Sequence, residues 1–255
     1  MQALPKALFI VMLELTAGSF VSLYLLDLRR DTTRGFIIFQ GVLYMLFAGL
    51  TLAAMNAFAT PELVRGYGLD SGWLQAQGPL VLAFSVLMIP WNVLLWRDRS
   101  PRAVGKAAKP ATTLPPFTRE QLARHVVGAL TALLGLAALL AVGMAYRPLA
   151  DSRLGGAFVV LAFVAGGLAI GGVMTAMLLG HWYLNTPTAS GKPLEFITAL
   201  LLAALAAELC FSLLIGPSTA HAAPGAALAV PGTTIQVNGN QVIVTTPTPL
   251  PDQQV

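Results

Sequence analysis

Residues 155–184 read GGAFVVLAFVAGGLAIGGVMTAMLLGHWYL, and no Asp, Glu, Lys or Arg interrupts them. Coiled into an α-helix, the stretch would extend about 45 Å, longer than the roughly 30 Å hydrocarbon core of a bilayer. Only a helix or a closed barrel satisfies its own backbone hydrogen bonds in lipid, and this stretch lacks the two-residue alternation of a barrel strand. It therefore predicts a transmembrane helix that tilts or protrudes.

Five further stretches have the same character, giving six spans at about 5–26, 35–58, 78–96, 125–146, 155–184 and 195–216. The composition agrees. Of 255 residues 56% are hydrophobic and 10% charged, against roughly a quarter charged in a soluble domain. Fifteen basic and 11 acidic side chains are too few to coat a water-soluble body of this length. The expected fold class is all-α, a polytopic six-helix membrane bundle over 1–216 with an extracytoplasmic tail over 217–255. The first span is read as a retained helix and not a cleaved signal, because it is too long and its basic residues follow it.

Lys and Arg placement gives an expected orientation. Arg29, Arg30 and Arg34 follow span 1. Arg97, Arg99, Arg102, Lys106, Lys109, Arg119 and Arg124 follow span 3, and Lys192 follows span 5, whereas the opposite side holds Lys6, Arg65, Arg147 and Arg153. Eleven against four places the basic side in the cytoplasm and both termini outside a cytoplasmic membrane. The net charge of +4 then serves topology, with no nucleic acid implied. The linker 97–124 is rich in Pro, Ala and Gly and reads as flexible, with anionic headgroups within its reach. Thr118 and Gln121 match a capping box that would start span 4 early. In the tail, Asn238-Gly239 between β-prone runs predicts a hairpin over 233–246, and PTPLPDQQV reads as a disordered end.

Two acids interrupt the apolar spans, Glu14 in IVMLELTAGS and Glu208 in LAALAAELCFSLL. A charge at the bilayer centre costs about 3 kcal/mol on insertion scales, so such acids face protein or water. Glu14 shares a face with Gly18 and Ser22, and Glu208 with Ala204 and Ser212. Both acids fall about 12–14 Å from the outer ends of their helices. No basic residue lies mid-span to neutralise them. Glu14, Glu208, Ser22 and Ser212 are the candidate proton- or cation-binding residues.

At the other interface His181, Trp182 and Tyr183 stand together, with Trp91 and Asn92 ending span 3 and His125 opening span 4. Interfacial Trp and Tyr are expected there for their polar ring edges. The same residues also suggest an inward-facing pocket for a quinone headgroup, or two axial histidines for a haem. Pro90 is expected to kink span 3 and open room beside Asn92. Gly167 and Gly171 form a GxxxG pair, with Gly172, Ala176 and Gly180 on an adjacent row, so span 5 is expected to be central.

Cys210 is the only cysteine, which excludes an intrachain disulfide or a cysteine cluster. His221 joins no constellation. No GxSxG, Walker loop, HExxH or dinucleotide fingerprint occurs. The leading expectation is a non-catalytic membrane subunit or assembly component of a larger complex, embedded in the bilayer beside other membrane subunits, with a redox complex as its first version. A small secondary transporter coupled through Glu14 and Glu208 is the alternative; three-plus-three spans would suit inverted repeats. A membrane enzyme acting on lipid or isoprenoid, with His181 as acid or base, ranks third.

Overall fold

A computed structural model describes residues 3–57, 69–98, 102, 118–150, 153–215, 234–238 and 241–245. Six helices follow one another: α1 (Ala3–Arg29), α2 (Arg34–Ala57), α3 (Ser71–Arg97), α4 (Arg119–Tyr146), α5 (Arg153–Asn185) and α6 (Lys192–Ile215). A short 3-10 turn, Arg147–Leu149, follows α4. All six helices are long and apolar enough to cross a membrane. Their outward faces carry Leu46, Leu133, Leu154, Leu202 and Leu209, a surface that water would penalise and lipid accepts.

Local chemistry sets the helix ends. Asp70 caps α3, its Oδ1 accepting from the Gly72 and Trp73 amides at 2.9 and 3.2 Å. That cap starts α3 at Ser71, ahead of the position 78 expected from hydropathy alone. Thr118 and Gln121 close a reciprocal capping box at the start of α4, Gln121 Oε1 accepting from the Thr118 amide at 2.9 Å. Thr118→Ala should cost about 1 kcal/mol of stability, read as a fall of a few degrees in a thermal-shift scan. Between α1 and α2 the chain turns on Arg30, whose φ of 58° is left-handed backbone in a non-glycine residue. The Arg34 guanidinium then donates to the Leu95 and Trp96 carbonyls, satisfying the open end of α3.

Helix α1 is the axle of the bundle. It packs on α5 most extensively, on α2 and α4, and thinly on α6. Helix α5 shares that position: it packs extensively on α1 and α6 and also on α4, and it meets α2 through Tyr44–Thr175 and Trp182. Small residues explain the α1–α5 contact. A Cβ on Gly18 would overlap the Gly167 carbonyl, and one on Gly171 would overlap the Gly18–Ser19 peptide. The neighbouring row behaves differently. Gly172 meets Leu201 of α6 at an ordinary 3.5 Å, Ala176 packs against the core, and Gly180 has nothing within 4 Å.

Helix α6 is peripheral. Its buried side chains are Pro193, Ile197 and Ala204, and Cys210 is exposed. Beyond the helices, Thr234–Asn238 and Gln241–Thr245 pair antiparallel, with Asn238 opposite Gln241. Asn238 closes the first strand, and residues 239 and 240 lie outside the described residues. This register sets Thr234 opposite Thr245, Ile235 opposite Val244 and Val237 opposite Val242, matching β-branched residues across the pair. Arg65, Arg99, Lys106, Lys109, His221 and the end 246–255 lie outside the described residues.

Candidate functional site

The two carboxylates of the apolar spans converge. Helix α5 carries Gly166 between them: from the position its Cβ would take, Glu208 Oε1 is 3.4 Å away and Glu14 Oε1 3.6 Å, so these oxygens lie no more than about 7 Å apart. The glycine leaves the space they occupy. Three helices build the site: α1 brings Glu14, α6 brings Glu208, and α5 supplies the bare backbone between them. Both residues are half-buried. Among the described residues neither carboxylate has a hydrogen-bond donor or an ion-pair partner. Lys6, on the same helix as Glu14, instead reaches Gln77 Oε1 at 3.4 Å and lies over the Phe9 ring.

The serines paired with these acids in the sequence do not join them. Ser22 is fully buried two turns further along α1, and Ser212 is exposed on α6. The site is therefore two half-buried carboxylates and a glycine. Two like charges at this separation in a low dielectric repel unless a proton or a cation intervenes.

The histidine and aromatic residues do not assemble into one pocket. His181 is exposed, and its Nδ1 pairs with the Met177 carbonyl of its own helix at 2.9 Å. Asn92 is buried and donates to Gly41 O at 3.3 Å and Met88 O at 2.9 Å, so the space expected beside it is filled. Helix α3 runs unbroken through Pro79 and Pro90. Trp91 is a core residue, edge-on to Phe20 with ring centroids 5.0 Å apart. Trp182 packs on Phe36 and Phe39 of α2, and the Tyr183 hydroxyl donates to Ser190 O at 2.8 Å, closing the turn before α6.

His125 belongs to a constellation that sequence reading missed. At the basic end of the bundle Asp27 of α1 is completely buried. Arg102 Nη2 meets its Oδ1 at 2.5 Å, and Arg124 Nε lies 3.3 Å from its Oδ2. Arg124, itself 1% exposed, also contacts Asp98 Oδ2 through Nη1 at 2.5 Å. Two carboxylates and two guanidiniums thus balance inside one cluster that ties α1, the end of α3, the linker residue Arg102 and the start of α4. His125 Nδ1 faces Asp27 Oδ2 at 3.8 Å, while its Nε2 lies 3.3 Å from Arg124 Nη2. A guanidinium can only donate, so Nε2 accepts and the proton sits on Nδ1, toward the carboxylate. With both ring nitrogens engaged in this way, and His181 bonded to its own helix, the two histidines are not placed as a haem-ligating pair. Among the described residues no group of three or more His, Cys, Asp or Glu could hold a metal ion.

One signal for the cluster was present in the sequence. Asp27, Asp31 and Asp98 stand among arginines at helix ends, in LLDLRRDTTR and WRDR. Reading the arginines only as topology determinants hid their partners.

Fold and surface define a multi-pass α-helical membrane protein. Comparison of the chain with protein-family models, curated proteins and solved structures finds no match.

Proposed function

We propose that this protein binds a proton or a small cation between Glu14 and Glu208 and acts as a small secondary transporter. The convergence of two unpaired carboxylates on Gly166 carries this reading. A half-buried negative pair within a membrane span needs a compensating positive charge, and intramembrane acids of this kind mark ion and proton pathways. The reading places the basic helix ends in the cytoplasm and both termini outside the cytoplasmic membrane, on the eleven-to-four distribution of Lys and Arg.

The test is chemical. A hydrophobic carbodiimide modifies protonated carboxyls in lipid, so reconstituted protein should be labelled at Glu14 or Glu208. Sodium ions or alkaline buffer should suppress that labelling. In proteoliposomes, Glu14→Gln and Glu208→Gln should each lower proton or sodium flux at least about tenfold, the loss of one essential charge-assisted contact. Unlabelled carboxyls and unchanged flux in both variants would remove the proposal.

A second reading has its own observation. Helix α6 buries few side chains, and its Glu208 is only half-buried, so a neighbouring membrane subunit with a basic or donor group would complete the site. On that reading the chain is a non-catalytic component of a larger complex. Purification in mild detergent separates the two, because a stable, flux-competent monomer counts against the subunit. The quinone, haem and lipid-modifying versions rest on the inner histidine and aromatic residues, where no observation favours them over the carboxylate pair.

A further inference from the structure

We propose that the Glu14–Glu208 pair takes a proton and not a metal cation, so that protons alone drive the transport. The inference rests on the carboxylate reading and narrows it, because the two kinds of ion ask for different numbers of oxygens. A hard cation gives up its water shell only for a comparable set of ligands, about six oxygens in most protein sites. A proton needs one oxygen to hold it and a second to share it.

The site offers little beyond the oxygens of its two carboxylates. From the position of a Gly166 Cβ, the nearest atoms beyond that stretch of α5 backbone are Glu208 Oε1 at 3.4 Å, Glu14 Oε1 at 3.6 Å and Glu208 Cδ at 3.7 Å. Among the described residues, no other residue of a neighbouring helix comes as close. Gly167, next along, has Glu14 Cα and O both 3.6 Å from its own Cβ position, so α1 and α5 close on each other beside the pair.

Polar side chains near the pair are engaged elsewhere. Residues 162–170 of α5 read AFVAGGLAI and contain none. Within a turn of Glu14 only Thr16 carries a hydroxyl, which donates to Met12 O at 2.6 Å and lies 3.1 Å from Thr51 Oγ1 of α2. Within a turn of Glu208, Cys210 and Ser212 are both exposed. The next hydroxyl along α5, Thr175, donates to Gly171 O at 2.8 Å and pairs with Tyr44. Helix carbonyls at these positions are taken by the amides four residues on. Two carboxylates so placed can hold and pass a proton, but they do not replace the water around sodium, potassium or calcium.

Carbodiimide labelling of the reconstituted protein tests it, titrated with pH in sodium, potassium or calcium chloride and in choline chloride of equal ionic strength. The labelling midpoint should be the same in every salt. A metal ion competing at a hundred times its Kd would instead lower that midpoint by about two pH units. Proton flux driven by a pH gradient should run at full rate without sodium, and uptake of radioactive sodium should match that of empty vesicles. A midpoint that falls in one of the metal salts would overturn the inference while leaving the carboxylate site in place. So would sodium uptake that disappears in Glu208→Gln. Carboxyls that stay unlabelled at every pH and in every salt would remove the site itself, and the inference with it.

Discussion

Arg124→Met lowers the apparent unfolding midpoint by about 10 °C or more. The expected loss follows from what remains after the guanidinium is gone. Arg124 contacts both Asp27 and Asp98, so its removal takes one buried cation from each, while Arg102 still pairs with Asp27. Breaking a buried ion pair from one side costs about 3–5 kcal/mol, and each kcal/mol moves the midpoint of a chain near this size by about 2–4 °C. Much of that cost is the orphaned charge and not the lost attraction. Asp27→Asn combined with Arg124→Met, which removes one charge of each sign, should therefore be less damaging than the two single changes added together. High salt should leave the Arg124→Met deficit nearly unchanged, because burial shields the cluster from screening. Arg29→Met is the contrast. Its 3.0 Å pair with Asp31 involves a side chain 39% exposed, and its stacking on Phe196 lies at the rim. That change should cost no more than about 1 kcal/mol. Equal losses at Arg29 and Arg124 would show that the cluster does not hold the helix ends together.

The spans were legible because hydropathy acts over whole helices and needs no partner to be read. Even so, α3 starts at Ser71, since a single Asp70 side chain can extend a helix into polar sequence. The two intramembrane acids were legible as exceptions to an apolar run. Their meeting was not, because it depends on α6 returning beside α1 across Gly166. The ionic cluster was least visible. Arg102 lies in a linker, Asp98 just beyond a helix and Asp27 a turn before one ends, so their 2.5–3.3 Å contacts follow only from assembly. The partners of the two histidines were hidden for the same reason. Residues at one depth on neighbouring spans share a layer, but helix rotation decides whether they face each other. It turned His181 outward and sent His125 to Asp27.

Rotation also decides which glycines matter, and a matched pair of alanine substitutions should separate them. Gly18→Ala places a methyl group inside the Gly167 carbonyl, so α1 and α5 must part along their most extensive contact. No side chain can swing away, because the obstacle is backbone. Overpacking of this kind costs about 1–3 kcal/mol where the structure can yield, and more where two helix backbones must move. Separation would also shift Glu14, one turn from Gly18, relative to Gly166. Gly18→Ala should thus lose carbodiimide labelling or sodium protection as well as stability. Gly49→Ala, with nothing within 4 Å, adds only helix propensity and should be neutral or raise stability by up to about 1 kcal/mol. Gly180→Ala, equally unobstructed, should behave in the same way. If Gly18→Ala and Gly49→Ala unfold at the same midpoint, the close crossing of α1 and α5 is wrong, and with it the placement of Glu14 beside Glu208.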